Sequence, residues 1–322
     1  MGLWDATLDR SVVFSFDATG FRRHARRFDE AALAPSLEGR VVLVTGANAG
    51  IGRAAAGELA RRGATVYLLC RSIERGLEAQ ANLRELAGHD RVRALQLDVS
   101  DLSAVRALPD QLPEARVDVL VHNAGVLPPA RRESPQGHEE TWATHVLGPL
   151  ALTAGLQAKL HAAPEGRVIF VSSGGMYTQR LDLTDLEWRE RPYDGVTAYA
   201  QTKRMQVELT GLLAERLAHT SVTVHAMHPG WADTRSVRES LPRFHKLTRR
   251  ILRTAEEGAD TVVFLSAARA LAPRSGGFWF DRHPAPAHLM ARTRARPGDA
   301  EALWQRALAD AGVPGEAFDA TR

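Results

Sequence analysis

Residues 41–52, VVLVTGANAGIG, decide the fold. Val41 to Val44 form a short β-branched run that ends in a glycine turn, which predicts a buried strand. Thr45 and Gly46 turn the chain, and Gly50-Ile51-Gly52 opens a helix that continues through Arg53 into AAAGELARRG. Strand, glycine turn and helix N-terminus together make a phosphate cradle, because free backbone N–H groups and the positive helix end face the same point. The spacing is Gly-x-x-x-Gly-x-Gly rather than the commoner Gly-x-Gly-x-x-Gly, so the flanking strand and helix carry the reading.

Working outward, apolar runs suited to strands recur at 65–70, 92–97, 118–122, 167–172, 222–227 and 276–280. Between them lie helical patterns at 53–62, from about 73 to 87, 102–112, 137–160 and 199–217. Strands separated by helices imply right-handed crossovers and a mainly parallel α/β sheet of about seven strands, doubly wound and covered on both faces. Residues 40–322, including a C-terminal tail with a helix near 300–311, read as one domain. Residues 1–39 read as an N-terminal arm. Ligands in such sheets bind outside the carboxyl ends of the strands. Small or polar residues gather there: Gly46–Gly52, Arg71, Asp98, Asn123-Ala124-Gly125, Ser172-Ser173 and Pro229-Gly230.

The 322 residues carry 41 basic and 38 acidic side chains, a net charge of +3 with no cationic tract. No basic run is interleaved with aromatics, so a nucleic-acid partner is not expected. One cysteine, Cys70, excludes an internal disulfide framework and a cysteine-rich zinc site, and no metal is expected. That single thiol, and the lack of any long apolar stretch, lead us to expect a cytoplasmic protein with no membrane span. In the arm, Phe21, Ala25, Phe28 and Ala32 share one helical face, with Arg22, Arg23, Arg26 and Arg27 opposite. The arm is expected to pack its Phe side chains on the main domain. Weak peripheral contact with an acidic membrane surface is the alternative.

Tyr199 and Lys203 stand four apart, one above the other on a helix face, after the strand that ends in Ser172-Ser173. An ammonium beside a phenol favours the phenolate, so such a pair can exchange a proton with an alcohol or ketone oxygen. Taken together, Thr45-Gly46-x-x-x-Gly50-x-Gly52, Asn123-Ala124-Gly125, Ser172-Ser173, Tyr199-x-x-x-Lys203 and Pro229-Gly230 resemble the short-chain dehydrogenase/reductase family. Ser172–Met176, Tyr199-Ala-Gln and His228-Pro-Gly-Trp-Ala-Asp-Thr234 are similar to the subgroup called dehydrogenase/reductase member twelve.

The resemblance implies a Rossmann-type oxidoreductase that interconverts a carbonyl and an alcohol. Tyr199 would exchange the proton, Ser173 rather than Ser172 would hold the substrate oxygen, and Lys203 would bind the nicotinamide ribose and depress the Tyr199 pKa. His145 stands where the family usually has an Asn whose carbonyl helps hold a relay water. Cofactor contacts are implied at Thr45, Gly46, Asn48, Gly50, Ile51, Gly52, Arg71, Asp98, Val99, Asn123, Ala124, Gly125, Tyr199, Lys203, Pro229, Gly230 and Thr234. Homo-oligomers are implied too, through the helices at 137–160 and 199–217.

NADP(H) is expected over NAD(H), because strand two ends in Leu69-Cys70-Arg71-Ser72 with no acid to meet an adenosine ribose, while Arg71 can pair a 2′-phosphate. Asp98 is expected to bond the adenine or to cap the following helix. Met176, Tyr177, Trp188, Tyr193 and Trp231 are expected to line an apolar pocket for a hydrophobic small-molecule carbonyl or alcohol, and His225 and His228 are read as structural. The rival reading is a catalytically weak dinucleotide-binding scaffold or sensor, whose arm meets a partner or membrane.

Overall fold

The computed structural model describes residues 12–233, 238 and 242–318. Within them one sheet is built from β1 (Val41–Thr45), β2 (Thr65–Cys70), β3 (Val92–Gln96), β4 (Val119–His122), β5 (Arg167–Val171), β6 (Thr223–Met227), β7 (Phe278–Phe280) and β8 (His283–Pro284). The order is β3-β2-β1-β4-β5-β6-β7-β8. Pairing is parallel as far as β7, so the strand order reverses between β1 and β4, the switch point where such sheets bind ligands. The eighth strand is a two-residue antiparallel return, too short to leave a sequence pattern. Its turn places Asp281 and Arg282 at φ 47° and 61°.

Alternation along the strands feeds two cores. Val42, Val44, Val66, Leu68, Val119 and Val121 face α3 (Gly50–Arg61), α4 (Ile73–Ala87) and α11 (Ala255–Ala267). Leu43, Leu69, Leu120, Val168 and Phe170 face α5 (Leu102–Ala107), α7 (Gly148–Gly155) and α9 (Gly195–Arg216). The helix α11 has no counterpart in the sequence reading. Its signal was present as a capping box, in which Thr254 and Glu257 bond each other's backbone N–H.

Two expected helices are broken by proline. The 102–112 pattern gives α5 and then a 3₁₀ turn at Pro109–Gln111. The 137–160 pattern divides into α6 (Glu140–Trp142), a π-helical turn Ala143–Leu147, α7 and α8 (Gln157–His161). Pro149 lacks the N–H that would return to the His145 carbonyl in an α-helical ladder. Gly148 also presses on the exit from β3, where a Cβ would lie 2.0 Å from the Val99 carbonyl oxygen.

The arm holds α1 (Val12–Phe16) and α2 (Ala18–Ala25), then a 3₁₀ turn at Glu30–Ala32, so the helical face expected over 21–32 ends early. Phe21 and Phe28 meet edge to face at 5.8 Å. The Arg253 and Arg282 guanidinium groups cover these rings at 5.3 and 4.3 Å. Ala34 N–H donates to the Ala267 carbonyl and Leu37 N–H to that of Arg62, each at 2.8 Å. The arm therefore packs its phenylalanines on the body of the protein.

Between β6 and α11 lies α10 (Pro242–Thr248). The C-terminal helix α12 (Asp299–Ala311) buries Leu303, Trp304, Ala307 and Leu308. Arg216 of α9 covers the Trp304 ring at 4.3 Å, and Trp142 Nε1 donates to Asp310 at 3.1 Å. Among the described residues no helix is long and apolar enough to cross a membrane.

Candidate active site

A cleft of about 680 Å³ opens along the carboxyl ends of the strands at the switch point. Its floor begins at the Gly46–Ile51 turn. Gly46 and Gly50 take φ +66° and +55°. The N-cap residue Ala49 offers no side-chain bond to the helix, so first-turn N–H groups of α3 have no capping side chain in front of them.

Thr45 and Gly52, expected to touch the cofactor, stay out of the lining and instead lock its shape. Thr45 Oγ1 donates to the Val121 carbonyl at 3.2 Å and accepts from Asn123 and Ala124 N–H at 2.9 and 3.0 Å. Asn123 Nδ2 donates to the Thr45 carbonyl at 2.8 Å. A Cβ on Gly52 would meet that same amide nitrogen at 2.3 Å, so only glycine lets α3 approach β4. Gly46, Asn48, Gly50, Ile51, Asn123, Ala124 and Gly125 do face the cleft.

At the end of β2 the lining includes Arg71, Ser72 and Arg75. Arg75 is a second cation that the sequence reading missed; its position one turn into a helix capped by Ser72 was the available clue. Arg71 lies 3.7 Å from Glu140 Oε1, whereas the buried Glu140 Oε2 has no hydrogen-bond partner. Burial pushes the Glu140 carboxyl above its usual range, against the opposing pull of Arg132 and Arg71. Asp98 and Val99 also line this end. Asp98 holds Ser100 through N–H and Oγ bonds of 2.9 and 2.7 Å, and the helix cap passes to Asp101. Open N–H groups, paired guanidiniums and a glycine cradle fit a dinucleotide that carries an extra phosphate.

Tyr199, Ser173 and Lys203 converge in the middle of the cleft. Ser173 lies two residues past the end of β5 and caps a 3₁₀ turn at Gly174–Thr178. Burial raises the Tyr199 pKa above that of free tyrosine and outweighs the neighbouring Ser173, which favours the phenolate. The expected depression by Lys203 is absent because the ammonium is turned elsewhere. It donates to the Val171 carbonyl at 2.8 Å and to Gln206 Oε1 at 3.1 Å, and lies 5.7 Å from the Tyr199 ring centre. Burial pulls Lys203 down to about 7. Ser172 Oγ donates to the Lys203 carbonyl at 2.8 Å, so it braces α9 and leaves the site to Ser173.

His145 sits behind the cleft, fully buried, its ring 5.4 Å from that of Tyr199. Val126 N–H donates to its Nε2 at 3.0 Å, which fixes the proton on Nδ1, 2.8 Å from Thr202 Oγ1. Burial, then the charge of Lys203, hold its pKa well below that of free histidine, so the ring is neutral. Its carbonyl accepts from Gln206 Nε2 at 2.8 Å.

The substrate side corrects the expected lining. Only Trp231 of the named aromatic and sulfur side chains reaches the cleft, with Val126, Leu127, Thr178 and Val196 beside it. Met176, Tyr177 and Trp188 are buried. The 3₁₀ turn after Ser173 rolls Met176 and Tyr177 into the core, where the Tyr177 hydroxyl donates to the Pro286 carbonyl at 2.8 Å. Tyr193 donates to Glu139 Oε1 at 3.0 Å and packs on Trp188. His225 accepts from Trp279 Nε1 at 3.0 Å, and His228 stacks on Phe280 at 4.2 Å, both in packing roles. Pro229 and Gly230 line the cleft, whereas Thr234 lies outside the described residues.

Residues 40–243 match the family pattern of short chain dehydrogenase. The chain is 37% identical over 306 residues to human dehydrogenase/reductase SDR family member 12, across 92% of this chain and 96% of that protein. An uncharacterised protein from Mycobacterium paratuberculosis has the same architecture, with TM-score 0.71 and 32% identity over 89% of this chain and 98% of the other. The Pseudomonas aeruginosa RhlG/NADP active-site complex gives TM-score 0.62 and 25% identity, over 76% and 96% of the two chains.

Proposed function

The chain belongs to the short chain dehydrogenase family, and from that premise we propose that it interconverts a carbonyl and an alcohol on a hydrophobic small molecule, using NADP(H). The observation that carries this reading is that Tyr199, Ser173 and Lys203 line one cleft together with the glycine cradle and the apolar side chains of Trp231 and Val196. When bound, the nicotinamide supplies or accepts the hydride.

Tyr199 donates its phenolic proton to the carbonyl oxygen in reduction and takes it back in oxidation. Ser173 holds the same oxygen and stabilises the charge that develops on it. Lys203 as an ammonium has one N–H beyond its two protein acceptors, which would serve the nicotinamide ribose hydroxyls. Arg71 and Arg75 hold the 2′-phosphate, Asp98 the adenine, and the open turn of α3 the pyrophosphate. His145 supports the centre from behind without entering the cleft.

Fluorescence titration with NADPH and with NADH tests the reading. NADPH should bind at least about tenfold tighter, which is about 1.4 kcal/mol. Reduction of an aldehyde panel should fall by about 10²–10⁴-fold in Tyr199→Phe, the range of a general acid. Tight binding with no turnover, indifferent to Tyr199→Phe, would instead support the scaffold reading.

A further inference from the structure

We infer that the N-terminal arm is a working part of the substrate side of the cleft, with Phe16 as the positioning residue that sets the gap between its two walls. One wall is the Ser173-Gly174-Gly175 turn and the other is Gly230-Trp231-Ala232, both facing the cleft. Phe16 lies against each. A Cβ on Gly174 would come within 2.8 Å of Phe16 Cε2, so the ring is packed directly under that backbone. On the other side Trp231 N–H donates to the Phe16 carbonyl at 2.8 Å, and a Cβ on Gly230 would meet that carbonyl oxygen at 2.6 Å. The ring also contacts His228 at 4.5 Å, Phe280 at 5.1 Å and Trp231 at 6.3 Å. The Phe16 ring thus fills the space beside Gly174, and at Gly230, which stands at φ +71°, a Cβ would meet Arg253 as well as the Phe16 carbonyl.

Phe16 is held by a buried clamp. Arg253 donates to the carbonyls of Ser15 and Phe16 at 2.9 Å each and to that of Asp17 at 3.2 Å. The same guanidinium pairs both oxygens of Asp281, with Nη2 2.9 Å from Oδ2. His24 Nδ1 bonds Asp281 Oδ2 as well, so α2 of the arm and Arg253, just before α11, share one carboxylate of the β7–β8 turn. Asp281 stands at φ +47°, a strained position for a non-glycine residue that this clamp maintains. The Arg253 bonds hold the backbone of residues 15–17, and with it the base of the Phe16 side chain.

This assignment rests on the proposed carbonyl–alcohol chemistry for its substrate, so its test has one part that needs none. Hydrogen exchange is followed on the full-length apo protein and on Phe16→Ala and Phe16→Leu. Exchange at residues 174–178 and 230–232 should rise at least about tenfold in Phe16→Ala and recover in large part in Phe16→Leu, with residues 46–52 unchanged, since local opening follows local packing. Equal acceleration in both regions, or in neither, overturns the inference. In turnover with NADPH and 4-nitrobenzaldehyde or nonanal, KM should rise about tenfold in Phe16→Ala while kcat stays within about threefold, the pattern of lost uniform binding. A kcat loss with unchanged KM overturns it as well. If the unaltered protein reduces neither aldehyde, the carbonyl reading is weakened, and the exchange pattern alone decides the role of Phe16.

Discussion

Lys203 donates to Gln206, Nζ to Oε1 at 3.1 Å, and the other end of that amide donates to the His145 carbonyl at 2.8 Å. Pro149 leaves this carbonyl without its α-helical partner, and Gln206 fills the vacancy with a group that carries no mobile proton. The bridge holds the ammonium and closes its inner side. The His122 and His145 rings also face Lys203, both neutral by burial, so Gln206 is the polar side chain that most directly favours the charged lysine.

Gln206→Leu should therefore lower the Lys203 pKa, already near 7, and Gln206→Glu should raise it. A protonated lysine is the better ribose donor, so NADPH affinity should weaken as pH rises through that value. The midpoint should move by about one unit downward in the Leu variant and upward in the Glu variant. Fluorescence titrations between pH 5.5 and 9 measure it. Unmoved midpoints in both would show that Gln206 only packs.

Arg71 and Arg75 should divide the selection for phosphate. Arg71→Ala and Arg75→Ala should each weaken NADPH by roughly tenfold and leave NADH within about twofold, as loss of one charge-assisted bond requires. Glu140 competes for Arg71 at 3.7 Å, and its second oxygen is unpartnered. Glu140→Gln should then tighten NADPH by about threefold, on the scale of a half-exposed ion pair. Calorimetric Kd values for both cofactors check all three variants.

Four buried histidines should make the fold acid-sensitive. Burial lowers His122 and His228 to about 3, His225 to about 4, and His145 well below 6.5. In each case the folded pKa is depressed, so below pH 6.5 the unfolded chain binds more protons and stability falls as pH falls. Each contributes up to about 1.4 kcal/mol per pH unit between 6.5 and its folded value, and together they should remove roughly 2–4 kcal/mol from pH 6.5 to 5.5. His228 Nε2 is buried without a partner, and the ring lies among phenylalanines. His228→Phe should flatten the slope, read by urea unfolding at stepped pH.

The strands were legible because a parallel sheet buried on both faces needs continuous β-branched runs, as at Val41–Val44, and because glycine turns mark its carboxyl edge. Tyr199 and Lys203 were legible because helix geometry alone puts them on one face. What escaped depends on contacts between distant segments. Gln206 matters only because Pro149 frees a carbonyl on another helix. Arg75 enters the cleft through the cap at Ser72. Met176 and Tyr177 were misplaced because a 3₁₀ turn, invisible to periodicity, rotates them inward. Phe16 lies more than 150 residues from Gly174, beyond the reach of any local pattern.

The same limit bears on assembly. The homo-oligomer expected from the family would use α7 and α9, yet α12 packs on both. Trp304 is buried in the core shared with Leu150, Leu209 and Leu213, and Arg216 ties α9 to Glu301 at 2.8 Å. A second copy seated on the faces of α7 and α9 that α12 covers would have to displace this helix and expose Leu303, Trp304 and Leu308, each worth about 1.5–3 kcal/mol when buried. We therefore expect a 35.2 kDa monomer in sedimentation equilibrium at micromolar concentration. Trp304→Ala should loosen α12 and lower Tm by roughly 6–20 °C, since a Trp cavity costs about 3–5 kcal/mol and each kcal/mol shifts a domain of this size by about 2–4 °C. It should also produce self-association through the bared face of α7 and α9. A stable dimer of the unaltered protein that keeps α12 protected from hydrogen exchange would place the interface elsewhere on the surface.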